Sequence, residues 1–196
     1  MLEILYNLEL QFFFLINKSI SNFWFDNFFI FIHDAHKNLL FLLLILLTLF
    51  LIVLMDKQNR LILILCIPLG IGITDQIGRS IKNLEIRDRP YMTIEKNKMN
   101  LLVKTKKDNN GNFVQTESSR KSFPSNHSAN IFVIYFILSS IYKKKTKYFF
   151  IAALLVAISR IYVGVHYPLD VLSGAIIGLS VGYLINKLLI QNKLIR

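Results

Sequence analysis

The sequence predicts an all-α membrane protein, a polytopic bundle of five to six transmembrane helices with one long loop outside the membrane. Hydrophobic residues make up 54% of the 196 residues, and sixteen residues are Phe. A soluble fold of this size needs more polar material to cover its surface. Five apolar runs separated by charged joints recur along the chain, whose length allows one such domain.

Each apolar run is shorter than the ~20 residues that span a bilayer unaided. Their number in so short a chain indicates spans that are lengthened by polar ends facing a common interior. The runs are Leu39–Met55, Leu61–Thr74, Ala129–Tyr142, Tyr148–Ile158 and Val171–Asn186.

Residues 1–38 are predicted to form an N-terminal unit distinct from the membrane domain, residues 39–196. Apolar residues are interspersed there with Asn, Ser, Asp and His, which indicates two short amphipathic helices, roughly 3–17 and 20–33, lying at the membrane interface. A sixth span within this unit is the alternative. Because the N-terminus lacks a basic region and carries Glu3 and Glu9, we expect no cleavable signal peptide.

Charge predicts both the partners and the orientation of the chain. The 23 Lys and Arg against 12 Asp and Glu give a net charge of +11, which favours anionic partners. Lipid headgroups, nucleic acid and phosphorylated substrates are partners of this kind. The joints Asp56–Arg60 and Tyr142–Tyr148 and the C-terminal tail are basic, so the positive-inside rule places them in the cytoplasm. The Ile81–Phe123 loop and the Val163–Leu169 turn then face the periplasm of a bacterial cytoplasmic membrane.

The long loop is itself basic and contains a turn signal. Leu101–Lys106 and Asn112–Thr116 flank an Asn-Gly pair, which predicts a hairpin over the membrane surface. A disordered basic loop is the alternative. Cys66, the only cysteine, lies in an apolar run and is predicted to be a buried hydrophobe, so no thiolate metal site is expected.

Three polar clusters lie at the predicted outer ends of the apolar runs. They are Lys82 with Arg89-Pro90, then Pro124-Ser125-Asn126-His127, then Ser159-Arg160 with His166 and Asp170. Lys82, Arg89 and Arg160 would neutralise a phosphoryl group and the charge it gains in a transition state, with no metal ion. Taken singly, each cation has a simpler interpretation as a membrane-edge residue reaching toward headgroups.

The second and third clusters offer a phosphate cradle and a nucleophile. Ser125 is a good helix N-cap, the unpaired N–H groups after it bind phosphate readily, and His127 would donate a proton. His166 lies at a turn, and Asp170 four residues later would orient its imidazole and leave the other nitrogen free to attack. If these residues do not share a site, the second cluster is an ordinary capped helix with a surface histidine. The third is then an aspartate at a helix start, favoured by the helix dipole, beside a structural histidine.

Together the clusters resemble the tripartite signature of the phosphatidic acid phosphatase type 2 superfamily. Lys82, Arg89 and Pro90 match Lys-x6-Arg-Pro; Pro124, Ser125 and His127 match Pro-Ser-Gly-His; and Ser159, Arg160, His166 and Asp170 match Ser-Arg-x5-His-x3-Asp. The resemblance spans roughly residues 39–186. Asn126 stands where the family usually has Gly, which we interpret as a tuning change in the phosphate cradle.

This resemblance implies a core like that of the acid phosphatases and vanadium haloperoxidases, and a phosphatase that uses no metal or other cofactor. His166 would form a phosphohistidine, polarised by Asp170, and His127 would protonate the leaving group. The phosphoryl oxygens would be held by Lys82, Arg89, Ser125, Asn126 and Arg160. The partners would be a membrane lipid substrate and the bilayer, and no nucleic acid. The candidate substrates are undecaprenyl diphosphate, lipid A, phosphatidylglycerophosphate and phosphatidate, hydrolysed at the periplasmic face.

Two other functions stay open. A catalytically silent lipid- or phosphate-binding protein on the same scaffold would be expected to lose the nucleophile or its partner, and this chain retains both His166 and Asp170. A small transporter or channel would use charges within the membrane, but Asp75 and Arg79 have the spacing of a simple helical ion pair. Composition excludes a soluble haloperoxidase.

Overall fold

The computed structural model describes residues 2–35, 39–95, 97–103 and 121–191. Within these ranges the chain is helical, and its only β structure is a single bridge between Asp88 and Lys121. The prediction of an all-α fold is confirmed. The predicted hairpin falls almost entirely on residues 104–120, which lie outside the described residues.

Helices follow one another along the described chain. They are α1 (Leu2–Phe14), α2 (Phe23–Asp34), α3 (Leu39–Met55), α4 (Arg60–Lys82), α5 (Pro90–Thr93), α6 (Asn126–Ile141), α7 (Thr146–Tyr162) and α8 (Pro168–Ile185). The π-helical segments Leu15–Ser19 and Asn186–Gln191 continue α1 and α8, and a 3-10 turn at Lys143–Lys145 precedes α7. The five predicted apolar runs correspond to α3, α4, α6, α7 and α8.

α4 shows how a polar end lengthens an apolar helix. The predicted run ended at Thr74, but the helix continues to Lys82. Asp75 in this extension accepts hydrogen bonds from the side-chain amides of Asn126, at 3.3 Å, and Asn130, at 3.0 Å, both on α6. Polar groups of one helix are therefore satisfied by the next, as the interior of a membrane protein requires.

α6 and α8 pack closely at the centre of the bundle, and α4 packs against both. A Cβ atom at Gly174 would collide with the carbonyl oxygen of Ser125, and one at Gly178 with that of Ala129. Small residues at this spacing let two helix backbones approach each other closely. The starts of α6 and α8 are consequently held side by side.

α1 and α2 share a hydrophobic core with the end of α7 and the start of α8. The ring of Phe13 lies 5.7 Å from that of Tyr167, and Phe29 stacks on Tyr162 at 4.3 Å between ring centroids. Fully buried Asn17 donates to the carbonyl oxygen of Tyr162 at 2.8 Å. The domain boundary at residue 38 stays a prediction, while side chains on both sides of it pack together.

Among the described residues, two helices are long and apolar enough to cross a membrane, Arg60–Lys82 and Pro168–Leu189. α6 has 16 residues, and α3 and α7 have 17 each, fewer than the ~20 that span a bilayer unaided. The number of five to six spans therefore stays a prediction.

Candidate active site

The ends of α4 and α7 and the starts of α6 and α8 meet at one end of the bundle, and the three polar clusters lie there. The Nζ atom of Lys82 donates a hydrogen bond to the carbonyl oxygen of Pro124 at 2.7 Å. The backbone N–H of Ser125 donates to the carbonyl oxygen of Asp170 at 3.0 Å. These two bonds join the first cluster to the second and the second to the third.

Arg89 lies among the other charged groups of the site. It precedes α5 as the N-cap residue, and its charge acts on Lys82, Arg160 and His166. The structure therefore brings the predicted cations and the predicted nucleophile within electrostatic range of one another.

His166 and Asp170 form a buried pair. His166 lies in the turn between α7 and α8, where Gly164 adopts the left-handed φ of +84° that glycine tolerates. Its Nδ1 atom lies 3.5 Å from Oδ2 of Asp170 and 3.3 Å from the hydroxyl of Ser122, which bonds the same carboxylate oxygen. The backbone N–H of Tyr167 also donates to that oxygen, at 2.8 Å. Because these contacts engage Nδ1, Nε2 is the nitrogen available to a substrate.

The surroundings of His166 keep its imidazole neutral. Burial lowers the pKa of His166 to about 4, and the positive charges of Arg89 and Lys82 act in the same direction, while Asp170 opposes them. At pH 7 the ring is therefore unprotonated, the form in which a ring nitrogen can attack phosphorus.

The two arginines of the site have donors that the protein does not use. Arg160 is 4% exposed, and its Nη1 atom lies 2.7 Å from Nδ1 of His33 on α2. The Nε groups of Arg89 and Arg160 are buried and have no hydrogen-bond partner among the described residues. Buried unpaired donors are uncommon in proteins. A phosphoryl group can supply the missing acceptors, because guanidinium and phosphate oxygens match in geometry.

The start of α6 has the form of a phosphate cradle. Ser125 is fully buried and caps the helix, with its hydroxyl 3.4 Å from the N–H of Ser128. The side chain of Asn126 packs against Gly78 of α4, and its amide donates to Asp75. The bulk of this amide is accommodated by α4, so the N–H groups of the first turn remain suited to an anion.

His127 and a cavity lie at the outer side of this arrangement. His127 is exposed in the first turn of α6. A cavity of about 900 Å³ opens beside Lys82, and its lining includes Arg79 and Lys121. Its basic lining suits an anionic ligand. Within the described ranges, no three His, Cys, Asp or Glu side chains cluster as metal ligands.

Four further side chains reach the site that sequence reasoning did not single out. They are Glu9, His33, Arg87 and Ser122. Glu9 carries a usable signal, because a carboxylate within an apolar helix is costly to bury and indicates a function. Arg87 and Ser122 are brought together by a loop pairing, in which the N–H of Ser122 donates to the carbonyl oxygen of Arg87 at 2.8 Å. Their spacing in the sequence does not reveal this.

Comparison with known proteins gives the family. The model of the PAP2 superfamily matches residues 59–193. The chain is 32% identical over 121 residues to the bacitracin transport permease protein BcrC of Bacillus licheniformis. This match covers 62% of the chain and 52% of BcrC, so the chain spans about half the length of that relative.

Two solved structures share the fold. LpxE of Aquifex aeolicus superposes with a TM-score of 0.68 at 30% identity, covering 91% of this chain and 94% of LpxE. The transmembrane PAP2 type phosphatidylglycerolphosphate phosphatase of Bacillus subtilis superposes with a TM-score of 0.61 at 25% identity, covering 95% and 87% of the two chains. The resemblance predicted from the three motifs is confirmed: the chain belongs to the PAP2 superfamily.

Proposed function

We propose that this chain is an integral membrane lipid phosphatase or diphosphatase that works through a phosphohistidine. The observation that carries the proposal is the pair of buried Nε groups on Arg89 and Arg160, which have no hydrogen-bond partner among the described residues, beside the buried His166–Asp170 pair. A phosphoryl group would give acceptor oxygens to both arginines and an electrophilic phosphorus atom to the imidazole.

The reaction has two steps. Nε2 of His166 attacks phosphorus, so a P–N bond forms as the P–O bond to the leaving group breaks, and His127 gives its proton to the leaving oxygen. Asp170 compensates the positive charge that grows on the imidazole, and the three cations bind the phosphoryl oxygens. Water, deprotonated by His127, then attacks phosphorus, the P–N bond breaks, and inorganic phosphate leaves.

The outer surface of the chain supports a lipid substrate. Large apolar side chains are exposed on it, among them Trp24 (79%), Leu40 (79%) and Met55 (84%). A soluble monomer rarely exposes so much apolar surface, whereas a bilayer covers it. In this proposal α3, α6 and α7 cross the membrane beside α4 and α8. Undecaprenyl diphosphate, lipid A, phosphatidylglycerophosphate and phosphatidate are the lipids to be compared.

The distribution of charge supports a site that faces the periplasm. At the end of the bundle opposite the site, the Tyr142 hydroxyl donates to Asp56 at 2.6 Å and joins the α3–α4 and α6–α7 connections. Lys143, Lys144 and Lys145 are exposed at this end. The positive-inside rule assigns it to the cytoplasm, and the site to the other side of a bacterial cytoplasmic membrane.

Phosphate release from the four candidate lipids by the purified protein in detergent tests this proposal. We expect release from at least one lipid, also in the presence of EDTA, and a base-stable, acid-labile phosphate on the protein. His166→Ala should lower the rate by at least about 10⁴-fold, because removing the nucleophile of a catalytic triad costs on the order of 10⁶-fold in kcat. The variant's melting temperature in detergent serves as the folding control. Full turnover by His166→Ala would refute the nucleophile, and no release from any lipid by folded wild type would favour a silent binding protein.

A further inference from the structure

We infer that Glu9 of α1 is a positioning residue for the reaction: it holds Arg87, and Arg87 in turn sets the carboxylate of Asp170 against His166. This inference rests on the proposed function and deepens it. It gives a part in the reaction to a helix that lies before the residues matched by the family model, 59–193.

Glu9 is a buried carboxylate with three bonds. It is 6% exposed, a rare environment for a glutamate. Arg87 binds it at two points, with Nη1 2.9 Å from Oε1 and Nη2 2.5 Å from Oε2. Oε1 also accepts from the backbone N–H of Leu169 at 2.9 Å, in the first turn of α8. Glu9 therefore bonds both the loop after α4 and the helix that carries Asp170.

Arg87 connects Glu9 to the His166–Asp170 pair. Its Nη1 atom, which binds Glu9, also lies 3.6 Å from Oδ1 of Asp170. That carboxylate oxygen is buried and has no hydrogen-bond partner within the described ranges, whereas Oδ2 accepts from Ser122 and Tyr167. The guanidinium carbon of Arg87 lies 3.6 Å from the centroid of the Tyr167 ring. Arg87 is thus fixed from two sides while it faces the unbonded oxygen.

Two carboxylates compete for the guanidinium of Arg87. Burial opposes its charge, but the hydrogen bond of Glu9 and the charges of Asp170 and Glu9 outweigh burial and raise the pKa of Arg87 above its usual value. Glu9 fixes the plane of the guanidinium through both terminal nitrogens, and in this position Nη1 stays 3.6 Å from Oδ1 of Asp170, beyond hydrogen-bond distance. The charge of Arg87 stabilises the ionised carboxylate, and Oδ2 stays directed at Nδ1 of His166. Without the charge of Glu9, Arg87 would move onto Asp170 and draw the carboxylate away from the imidazole.

Steady-state kinetics of Glu9→Gln tests the inference, because Gln keeps an oxygen for the N–H of Leu169 but loses the charge and the second oxygen that binds Arg87. We expect kcat to fall by up to about 100-fold, the cost of misplacing a catalytic group by about 1 Å. KM should stay within about twofold, because substrate binding is not touched. Glu3→Gln, which changes an exposed carboxylate of the same helix, is the matched control and should keep the wild-type kcat.

A double-mutant cycle with Arg87→Gln separates positioning from a merely structural role. If Glu9 acts through Arg87, Glu9→Gln should change kcat by less than about twofold once Arg87 is already Gln. If Glu9→Gln does not fold, Arg87→Lys is the variant that tests the inference. It keeps the positive charge but cannot bind both carboxylate oxygens of Glu9 at once. We expect it to lower kcat while its melting temperature stays near that of wild type. A Glu9→Gln variant as active as Glu3→Gln, additive losses in the cycle, or an Arg87→Lys variant with wild-type kcat would each overturn the inference. A folded wild type that releases no phosphate refutes the proposed function instead.

Discussion

At His166, burial and charge decide which protonation state meets the substrate. Burial lowers the pKa of the ring from 6.5 to about 4, and Arg89 and Lys82 assist, while Asp170 alone opposes this effect. A histidine with an unshifted pKa would be protonated in part of the molecules at neutral pH and unable to attack. The cations that we propose as phosphate ligands, Arg89 and Lys82, therefore also favour the neutral imidazole that the proposed attack requires.

The pH dependence of activity follows from this. Since only neutral His166 attacks, kcat/KM for phosphate release should stay level on the acid side until about pH 4 and then fall with decreasing pH. Initial rates from pH 3.5 to 8, corrected for the second ionisation of the substrate phosphate, measure the midpoint. An acid limb centred near 6.5 would show that the ring has an ordinary pKa.

The same shift has a consequence for stability, with a defined sign. The pKa of His166 is lower in the folded chain than in the unfolded one, so between about pH 4 and 6.5 the unfolded state binds more protons. The free energy of unfolding contributed by this group is fully present above 6.5 and is lost as the pH falls toward 4. Melting temperatures of wild type and His166→Ala over this range should converge as the pH decreases.

For Asn126, the sequence alone could not predict the structural role of the side chain. The spacing of the three motifs predicts Lys82 and Ser125 as site residues, and the structure places both at the same end of the bundle as His166 and Asp170. The partners of Asn126 are Asp75 and Gly78, which lie on another helix about fifty residues earlier. No local pattern in the sequence connects them, so the effect of replacing Gly by Asn became interpretable only with the packing of α4 on α6.

At the scale of elements, the contact between α6 and α8 depends on the absence of side chains. Gly174 and Gly178 lie against backbone atoms of α6, which cannot move aside as a flexible side chain can. Gly72 on α4 is different, because no described atom lies within 4 Å of a Cβ atom built there. Gly178 and Gly72 therefore allow the same Gly→Ala substitution to be compared at a packed and at an open position of a helix.

Gly178→Ala should destabilise the protein, by about 1–3 kcal/mol for overpacking, because the added methyl group meets the carbonyl oxygen of Ala129. Gly72→Ala should be neutral or stabilise by up to about 1 kcal/mol, since alanine is the better helix former. Thermal unfolding of both variants in the same detergent measures the difference. A Gly178→Ala variant at least as stable as Gly72→Ala would contradict the close helix contact.

Helix boundaries were predictable where apolar runs end in loops and less so where polar residues continue the helix. α3 begins and ends as predicted, at Leu39 and Met55. α4 runs on to Lys82 because Asp75 is satisfied by α6, a tertiary contact that hydropathy does not register. The N-terminal helices were expected from their periodicity, but their buried partners, such as Asn17 with Tyr162, were not.

At the scale of the whole molecule, the two ends of the bundle have different chemistry. One end carries the site with its buried cations, and the other carries the exposed lysines around the Tyr142–Asp56 bond. A protein inserted with the lysines in the cytoplasm presents the site to the periplasm. This arrangement would give the enzyme access to lipids of the outer leaflet.

Cysteine labelling in intact spheroplasts tests this orientation. Cys66 is the only cysteine and is buried, so Cys66→Ala gives a background without reactive thiols. Asn83→Cys, exposed just after α4, should react with a membrane-impermeant maleimide added outside. Lys144→Cys, exposed at the opposite end, should react only after permeabilisation. The reverse pattern would place the site in the cytoplasm.

The hydrogen bond from the N–H of Ser125 to the carbonyl oxygen of Asp170 also has an evolutionary consequence. Because both atoms belong to the main chain, the bond is inherited whatever side chains surround it. Side chains around the site can therefore change while the starts of α6 and α8, which carry His127 and Asp170, keep their spacing. A directed-evolution library for a new headgroup is best placed on the exposed cavity residues Gln76, Arg79 and Asn83, which lie outside that bond.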